Sequence, residues 1–156
     1  MPAPPTETGD EHVATSGARL RYLTDTVSTA TPARLIVMLY DRLGLDLRRA
    51  ADAFERNARF EAAPHLLHAQ QIIAELLSSL RTELWPGGKD LASLYSFLLR
   101  ELISVNAEGD VERLTAITEI TTELRNTWDE AASVTAATNN AENSTAPAGS
   151  AIAWVG

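Results

Sequence analysis

The sequence predicts an all-α fold, an antiparallel four-helix bundle with a short N-terminal cap segment and disordered termini. Three observations predict it. Apolar residues recur at spacings of three and four in four successive stretches. Proline or glycine separates these stretches, and no stretch alternates as a strand does. Connections of about 4–7 residues then place successive helices side by side, which is typical of antiparallel bundles.

The first helix is the most clearly marked, and we expect it near residues 32–56. Thr31 is a favourable N-cap, and Pro32 suits the first helical position. Gly44 lies inside this helix, where glycine costs about 1 kcal/mol relative to alanine. The apolar positions fill an arc about 100° wide. They are Ile36, Leu39, Tyr40, Leu43, Leu47, Ala50 and Phe54.

Three further helices are expected near residues 62–84, 89–107 and 110–132. Because proline is tolerated in the first turn of a helix, Pro64 favours a start near residues 61–63. The Trp85-Pro86-Gly87-Gly88 turn ends this helix, Gly109 ends the next, and Asp110 can cap the last. The predicted core positions are Ile36, Leu43, Leu47, Ile73, Leu77, Leu94, Tyr95, Leu98, Leu114, Leu124 and Trp128.

The composition changes at both ends of the chain. Residues 1–18 contain three of the seven prolines and no apolar periodicity. Residues 133–156 are rich in Ala, Ser, Thr and Asn and carry one charge. We therefore expect a disordered extension over 1–18, one bundle domain over 19–132 and a disordered tail over 133–156. Trp154 is unusual in such a tail, and we assign it no role there.

Charge and composition exclude several classes of protein. The net charge of −8 argues against a protein that binds nucleic acid by neutralising phosphates. The absence of cysteine excludes disulfides, a cysteine nucleophile and thiolate metal sites. The longest apolar run, Leu35 to Tyr40, is too short for membrane insertion. The acidic, proline-rich N-terminus does not resemble a secretory signal, so we expect a cytoplasmic protein.

No group of residues in the sequence indicates catalysis. His65 and His68 lie three positions apart, but a di-metal bundle needs Glu-x-x-His motifs, and the chain has none. We expect the two histidines to lie on a solvated helix face. No serine stands in a Gly-x-Ser-x-Gly elbow, and Gly87-Gly88 lacks the remainder of a phosphate loop. We therefore expect neither enzymatic activity nor a cofactor.

The first helix instead carries surplus apolar residues. Leu35, Val37, Met38 and Leu45 fall outside its core arc, so its first two turns are apolar almost all the way round. This pattern favours a partner-binding surface. Scattered surface apolar residues remain an alternative. Another is that residues 19–30 cover this surface as a cap, through Leu20, Tyr22, Leu23 and Val27.

The segment from Tyr22 to Asp41 resembles the signature of the FliS family of flagellin export chaperones. That signature is a Tyr, four intervening residues, a Val, then Thr-Ala-Ser/Thr-Pro, and then Leu-Ile-x-Met-Leu-Tyr/Phe-Asp. The matching residues here are Tyr22, Val27, Thr29, Ala30, Thr31, Pro32, Leu35, Ile36, Met38, Leu39, Tyr40 and Asp41. The resemblance continues through residues 68–76, Gly87-Gly88, Asn106 and Trp128, and covers about residues 22–131. Arg42 departs from it, because a small residue usually follows the Asp.

The resemblance implies a cytoplasmic chaperone that binds the C-terminal segment of flagellin, prevents premature polymerisation and delivers flagellin to the export gate. It implies a monomer or weak dimer and contacts with export gate components. A bundle adaptor for another protein partner and a metal-dependent bundle enzyme remain alternatives. The candidate client-binding residues are Tyr22, Val27, Leu35, Met38, Leu39, Tyr40, Arg42 and Leu45.

Overall fold

The computed structural model describes residues 31–145, and every regular element in that range is an α-helix. The helices are α1 (Pro32–Glu55), α2 (Arg59–Ser79), α3 (Gly88–Glu108) and α4 (Val111–Thr145). Helices α1 and α3 each pack against both α2 and α4. The predicted antiparallel four-helix bundle is therefore confirmed. The predicted cap segment, residues 1–18 and residues 146–156 lie outside the described residues.

The core runs along the centre of the bundle and receives side chains from all four helices. Among the predicted core residues, those that are buried are Leu43, Leu47, Ile73, Tyr95, Leu98 and Leu114. Those that are partly buried and pack against this core are Ile36, Leu77, Leu94, Leu124 and Trp128. Among residues 31–145, no helix is long and apolar enough to cross a membrane.

Helix α1 begins as its sequence predicts. The Thr31 hydroxyl accepts a hydrogen bond from the Arg34 backbone N–H at 3.3 Å, and Pro32 is the first helical residue. Val37 differs from expectation, since it is fully buried although it falls outside the predicted core arc. Because α1 packs between two helices, its buried sector is wider than one stripe.

Helix α2 starts and ends earlier than predicted. It begins at Arg59, so Pro64 lies inside the helix and not in its first turn. It ends at Ser79, and Leu80 takes an extended conformation. The Ser78 and Ser79 hydroxyls donate to the carbonyls of Glu75 and Leu76 in the last turn, and such local bonds compete with helix continuation. Leu84 therefore lies in the α2–α3 loop and not on the helix.

Two glycines shape the connections around α3. A Cβ at Gly88 would lie 2.7 Å from the Thr82 backbone, so glycine lets the α2–α3 loop pack closely on the start of α3. Gly109 ends α3 with φ of 76°, a left-handed conformation that glycine adopts at low cost. The Asp110 carboxylate then accepts from the Arg113 backbone N–H at 3.0 Å and caps α4, as predicted.

Helix α4 extends well beyond the predicted end at residue 132. The expectation of a disordered tail from residue 133 differs from the structure, in which residues 133–145 are helical. The physical reason is that the stretch 111–145 contains neither proline nor glycine, and the first breaker is Pro147. Every side chain from 133 to 145 is exposed, so this extension makes no part of the core.

Candidate partner-binding surface

The predicted client-binding residues of α1 occupy different environments. Leu35, Met38, Leu39 and Leu45 are partly exposed, so each retains some surface for a partner. Leu39 also packs against the core. Arg42 is exposed. Tyr22 and Val27 lie outside the described residues.

Tyr40 is a correction to the predicted binding set, because its side chain is only 2% exposed. Its hydroxyl lies 2.7 Å from the hydroxyl of Tyr95 on α3, so the pair links two helices across the core. Burial raises the pKa of both phenols above the ordinary value, and the hydrogen bond to Tyr95 raises the pKa of Tyr40 further. Tyr40 is therefore a core residue that a partner does not reach in this conformation.

A polar cluster, here called the Asp46 cluster, joins α1 to α2 and comprises Asp46, Arg42, His65 and His68. Asp46 is fully buried. Its Oδ2 lies 2.5 Å from His68 Nδ1 and accepts from Arg42 Nε at 3.2 Å. Its Oδ1 lies 3.5 Å from His65 Nδ1, and within residues 31–145 this oxygen has no hydrogen-bond partner.

This cluster corrects the expectation that His65 and His68 lie on a solvated face. Both imidazoles are only partly exposed, because they cover the buried carboxylate on the neighbouring helix. Arg42 contributes to the same cluster, so one of its donor groups is already occupied. Across residues 31–145 no group of His, Asp and Glu side chains, this cluster included, is arranged to hold a metal ion.

The most exposed large apolar side chains lie away from α1. Phe60 at the start of α2 is 96% exposed, and Leu67 and Ile103 on the neighbouring helices α2 and α3 are each about half exposed. Further exposed apolar residues are Leu84, Trp85, Phe97, Val111 and Val134. Single exposed apolar residues are common on protein surfaces, but here two adjacent helices, α2 and α3, each carry more than one. Both α2 and α3 therefore offer apolar surface in addition to that of α1.

An apolar groove, here called the end groove, opens where the start of α1 meets the α2–α3 loop. Its volume is about 220 Å³. The apolar and aromatic residues that line it are Ile36, Leu76, Leu80, Leu84, Trp85, Tyr95 and Trp128. Leu84 is 69% exposed at its rim. The early end of α2 creates this groove, because Leu80 and Leu84 leave the helix and lie in the loop instead.

A polar cleft of about 370 Å³ separates α1 from α4, and Asp41, Arg48, Thr121 and Arg125 contribute to its lining. Arg125 Nε donates to Asp41 Oδ1 at 2.9 Å, and Arg125 Nη1 donates to Asp129 at 3.0 Å. The hydrogen bond to Asp41 raises the pKa of Arg125, so this guanidinium stays charged. The cleft is therefore a polar interface between α1 and α4 that is held by ion pairs, and it is not an apolar binding surface.

Sequence reasoning missed the Asp46 cluster and the apolar surface of α2 and α3. Asp46 lies at the edge of the α1 core arc, and the His65–His68 spacing places both imidazoles beside the α2 arc. Treating these two edges as facing one another would have suggested the contact. The α2–α3 surface would have been found by listing apolar residues outside the core arc on every helix and not on α1 alone.

Comparison with known proteins identifies the family of the chain. The family described as "Flagellar protein FliS" matches residues 15–135. The "Flagellar secretion chaperone FliS" of Bacillus subtilis (strain 168) is 30% identical over 110 residues, which cover 70% of this chain and 82% of the relative. The match includes all of α1, α2 and α3 and most of α4. The chain therefore belongs to the FliS family.

Proposed function

We propose that this protein is a flagellar secretion chaperone that binds the C-terminal segment of flagellin in the cytoplasm. It holds one flagellin per chaperone, prevents premature polymerisation and delivers the client to the flagellar export apparatus. Membership of the FliS family over residues 15–135 is the observation that carries this proposal. The apolar surface on several helices of the bundle supports protein binding as the function, and the net charge of −8 argues against nucleic acid as the partner.

The distribution of the apolar surface favours a client that wraps around the bundle. Partly exposed apolar residues lie on α1, and exposed ones lie on α2, on α3 and in the α2–α3 loop. A segment that orders on binding loses conformational entropy and must bury a large area to compensate. Burying an exposed Leu, Ile or Phe contributes about 1.5–3 kcal/mol. Several such contacts on different helices can therefore hold an otherwise unfolded segment.

Calorimetric titration with two forms of flagellin tests the client. Full-length flagellin is expected to bind the chaperone, and flagellin lacking its C-terminal segment is expected to bind at least 100-fold more weakly, about 2.7 kcal/mol. Light scattering of flagellin at equimolar chaperone is expected to show suppressed polymerisation. Equal affinity for the two flagellin forms would exclude the C-terminal segment as the client site.

Paired substitutions locate the contact surface. Leu67→Asp with Ile103→Asp is expected to weaken binding at least tenfold, because it places two charges in apolar contacts. Met38→Asp with Leu45→Asp tests the α1 surface in the same way. The matched control is Thr115→Asp with Thr127→Asp, which adds the same charge at exposed positions of α4. A control that weakens binding as much as the other two pairs would show that net charge decides, not the apolar surface.

A further inference from the structure

The C-terminal residues include three large apolar side chains to which the proposed function assigns no role. Between residue 146 and residue 156 the sequence is small or polar except for Ile152, Trp154 and Val155. Alternating residues of an extended segment point the same way, so Ile152 and Trp154 can share one side. Exposure of these side chains to water costs free energy that burial in an apolar site recovers.

The end groove is an apolar site of suitable size. At about 220 Å³ it has room for an indole side chain, and its walls include the two aromatic rings of Trp85 and Trp128. Aromatic side chains in contact gain free energy beyond the area that they bury. Trp85 and Leu84 are exposed at the rim, so the groove is open in the described part of the chain.

The chain is long enough to bring this segment to the groove. Helix α4 runs 17 residues from Trp128 to Thr145, which is about 26 Å at 1.5 Å per residue. Eight residues lie between Thr145 and Trp154, and the nine steps from one to the other span up to about 31 Å when extended. Pro147 and Gly149 follow directly after the helix, where such residues favour a reversal of chain direction.

From this combination we propose that residues 152–155 fold back along α4 and occupy the end groove of their own chain, with Trp154 against Trp85 and Trp128. Tethering favours this occupant over a free peptide, because a short linker gives an effective concentration in the millimolar range. The segment shields an apolar surface that would otherwise promote self-association. This inference concerns the chaperone alone and goes beyond its proposed client.

Paramagnetic relaxation enhancement in the full-length chain tests the proposal. The chain has no cysteine, so Ser150→Cys provides a single site for a nitroxide label. We expect the indole N–H signals of Trp85 and Trp128 to be lost when the label is paramagnetic and restored when it is reduced. The amide of Asn57, at the opposite end of the bundle, is expected to be unaffected. The matched control carries Ile152→Ser and Trp154→Ser with the same label, and its indole signals are expected to persist.

Three outcomes would overturn the proposal. Equal signal loss in the control would show that proximity follows from the tether alone. Signal loss only when labelled chains are mixed with isotope-enriched unlabelled chains would assign the groove to a second copy. A label at Thr26→Cys that removes the same indole signals, with no effect from the Ser150→Cys label, would assign the groove to the N-terminal segment.

Discussion

Replacing His68 with Ala is expected to lower the free energy of unfolding by about 2 kcal/mol. The change removes the partner at 2.5 Å from Asp46 Oδ2 and leaves a fully buried carboxylate with Arg42 Nε as its hydrogen-bond donor. Hydrogen bonds to charged groups contribute about 1.5–3 kcal/mol net. The lower half of that range applies because His68 is partly exposed, so water can reach part of the vacated site.

Replacing Asp46 with Leu is expected to change stability by less than about 1 kcal/mol, because it removes the buried charge itself and fills the space with an apolar side chain. In the Asp46→Leu variant, a further His68→Ala change is expected to lower the free energy of unfolding only slightly. The double-mutant cycle should therefore give a coupling energy of about 2 kcal/mol between the two positions.

Urea unfolding followed by circular dichroism measures these differences. In thermal unfolding the His68→Ala variant should show a Tm lower by about 4–8 °C. Arg56→Ala is the matched control, because its ion pair with Glu61 is exposed on both sides and such pairs contribute at most about 1 kcal/mol. A His68→Ala variant as stable as the unmodified protein, or an Asp46→Leu variant less stable than His68→Ala, would refute the assigned role of the cluster.

Three further predictions concern stability. Because burial raises the pKa of Tyr40 and Tyr95, the folded state keeps their protons when the unfolded state releases them. The stability that these two phenols contribute is therefore fully present below about pH 10 and falls as the pH rises above it. Urea titrations measure the free energy of unfolding at pH 9 and at pH 11. The decrease between the two pH values should be smaller in the Tyr40→Phe, Tyr95→Phe double variant than in the unmodified protein. Gly44→Ala is expected to raise stability by about 0.5–1 kcal/mol, because the added Cβ meets only the tip of a flexible arginine side chain. Gly88→Ala is expected to lower stability, because its Cβ meets backbone atoms. Equal effects of the two substitutions in thermal unfolding would contradict this contrast. In the Ile152→Ser, Trp154→Ser background, a chain ending at residue 132 should keep the Tm of the longer chain, since the helical residues 133–145 are all exposed, and a large drop would show that the α4 extension packs on the bundle.

The sequence was sufficient to predict the four helices and most of the core, because apolar periodicity reports burial directly. Ile73, Tyr95 and Leu98 lie where that periodicity places them. The N-cap at Thr31 and the cap at Asp110 were also predictable, since each depends on local chemistry that the sequence states.

The features that were not predictable depend on contacts between helices or on competing local bonds. Helix α2 ends before its apolar pattern ends, where the Ser78 and Ser79 hydroxyls bond to carbonyls of its last turn. Asp46 is buried because two histidines from another helix cover it, and no pattern within α1 indicates that pairing. Tyr40 lay on the apolar arc of the first helix and was also predicted as a client-binding residue, and its burial against Tyr95 places it in the core.

The most direct test of the proposed function is calorimetric titration of this chaperone with the isolated C-terminal segment of flagellin. We expect one-to-one binding, an affinity within tenfold of that for full-length flagellin, and a negative heat-capacity change from the apolar surface that is buried. Leu67→Asp with Ile103→Asp should weaken binding of the isolated segment and of full-length flagellin by the same factor. Full-length flagellin that binds while the isolated segment does not would contradict the proposed client site.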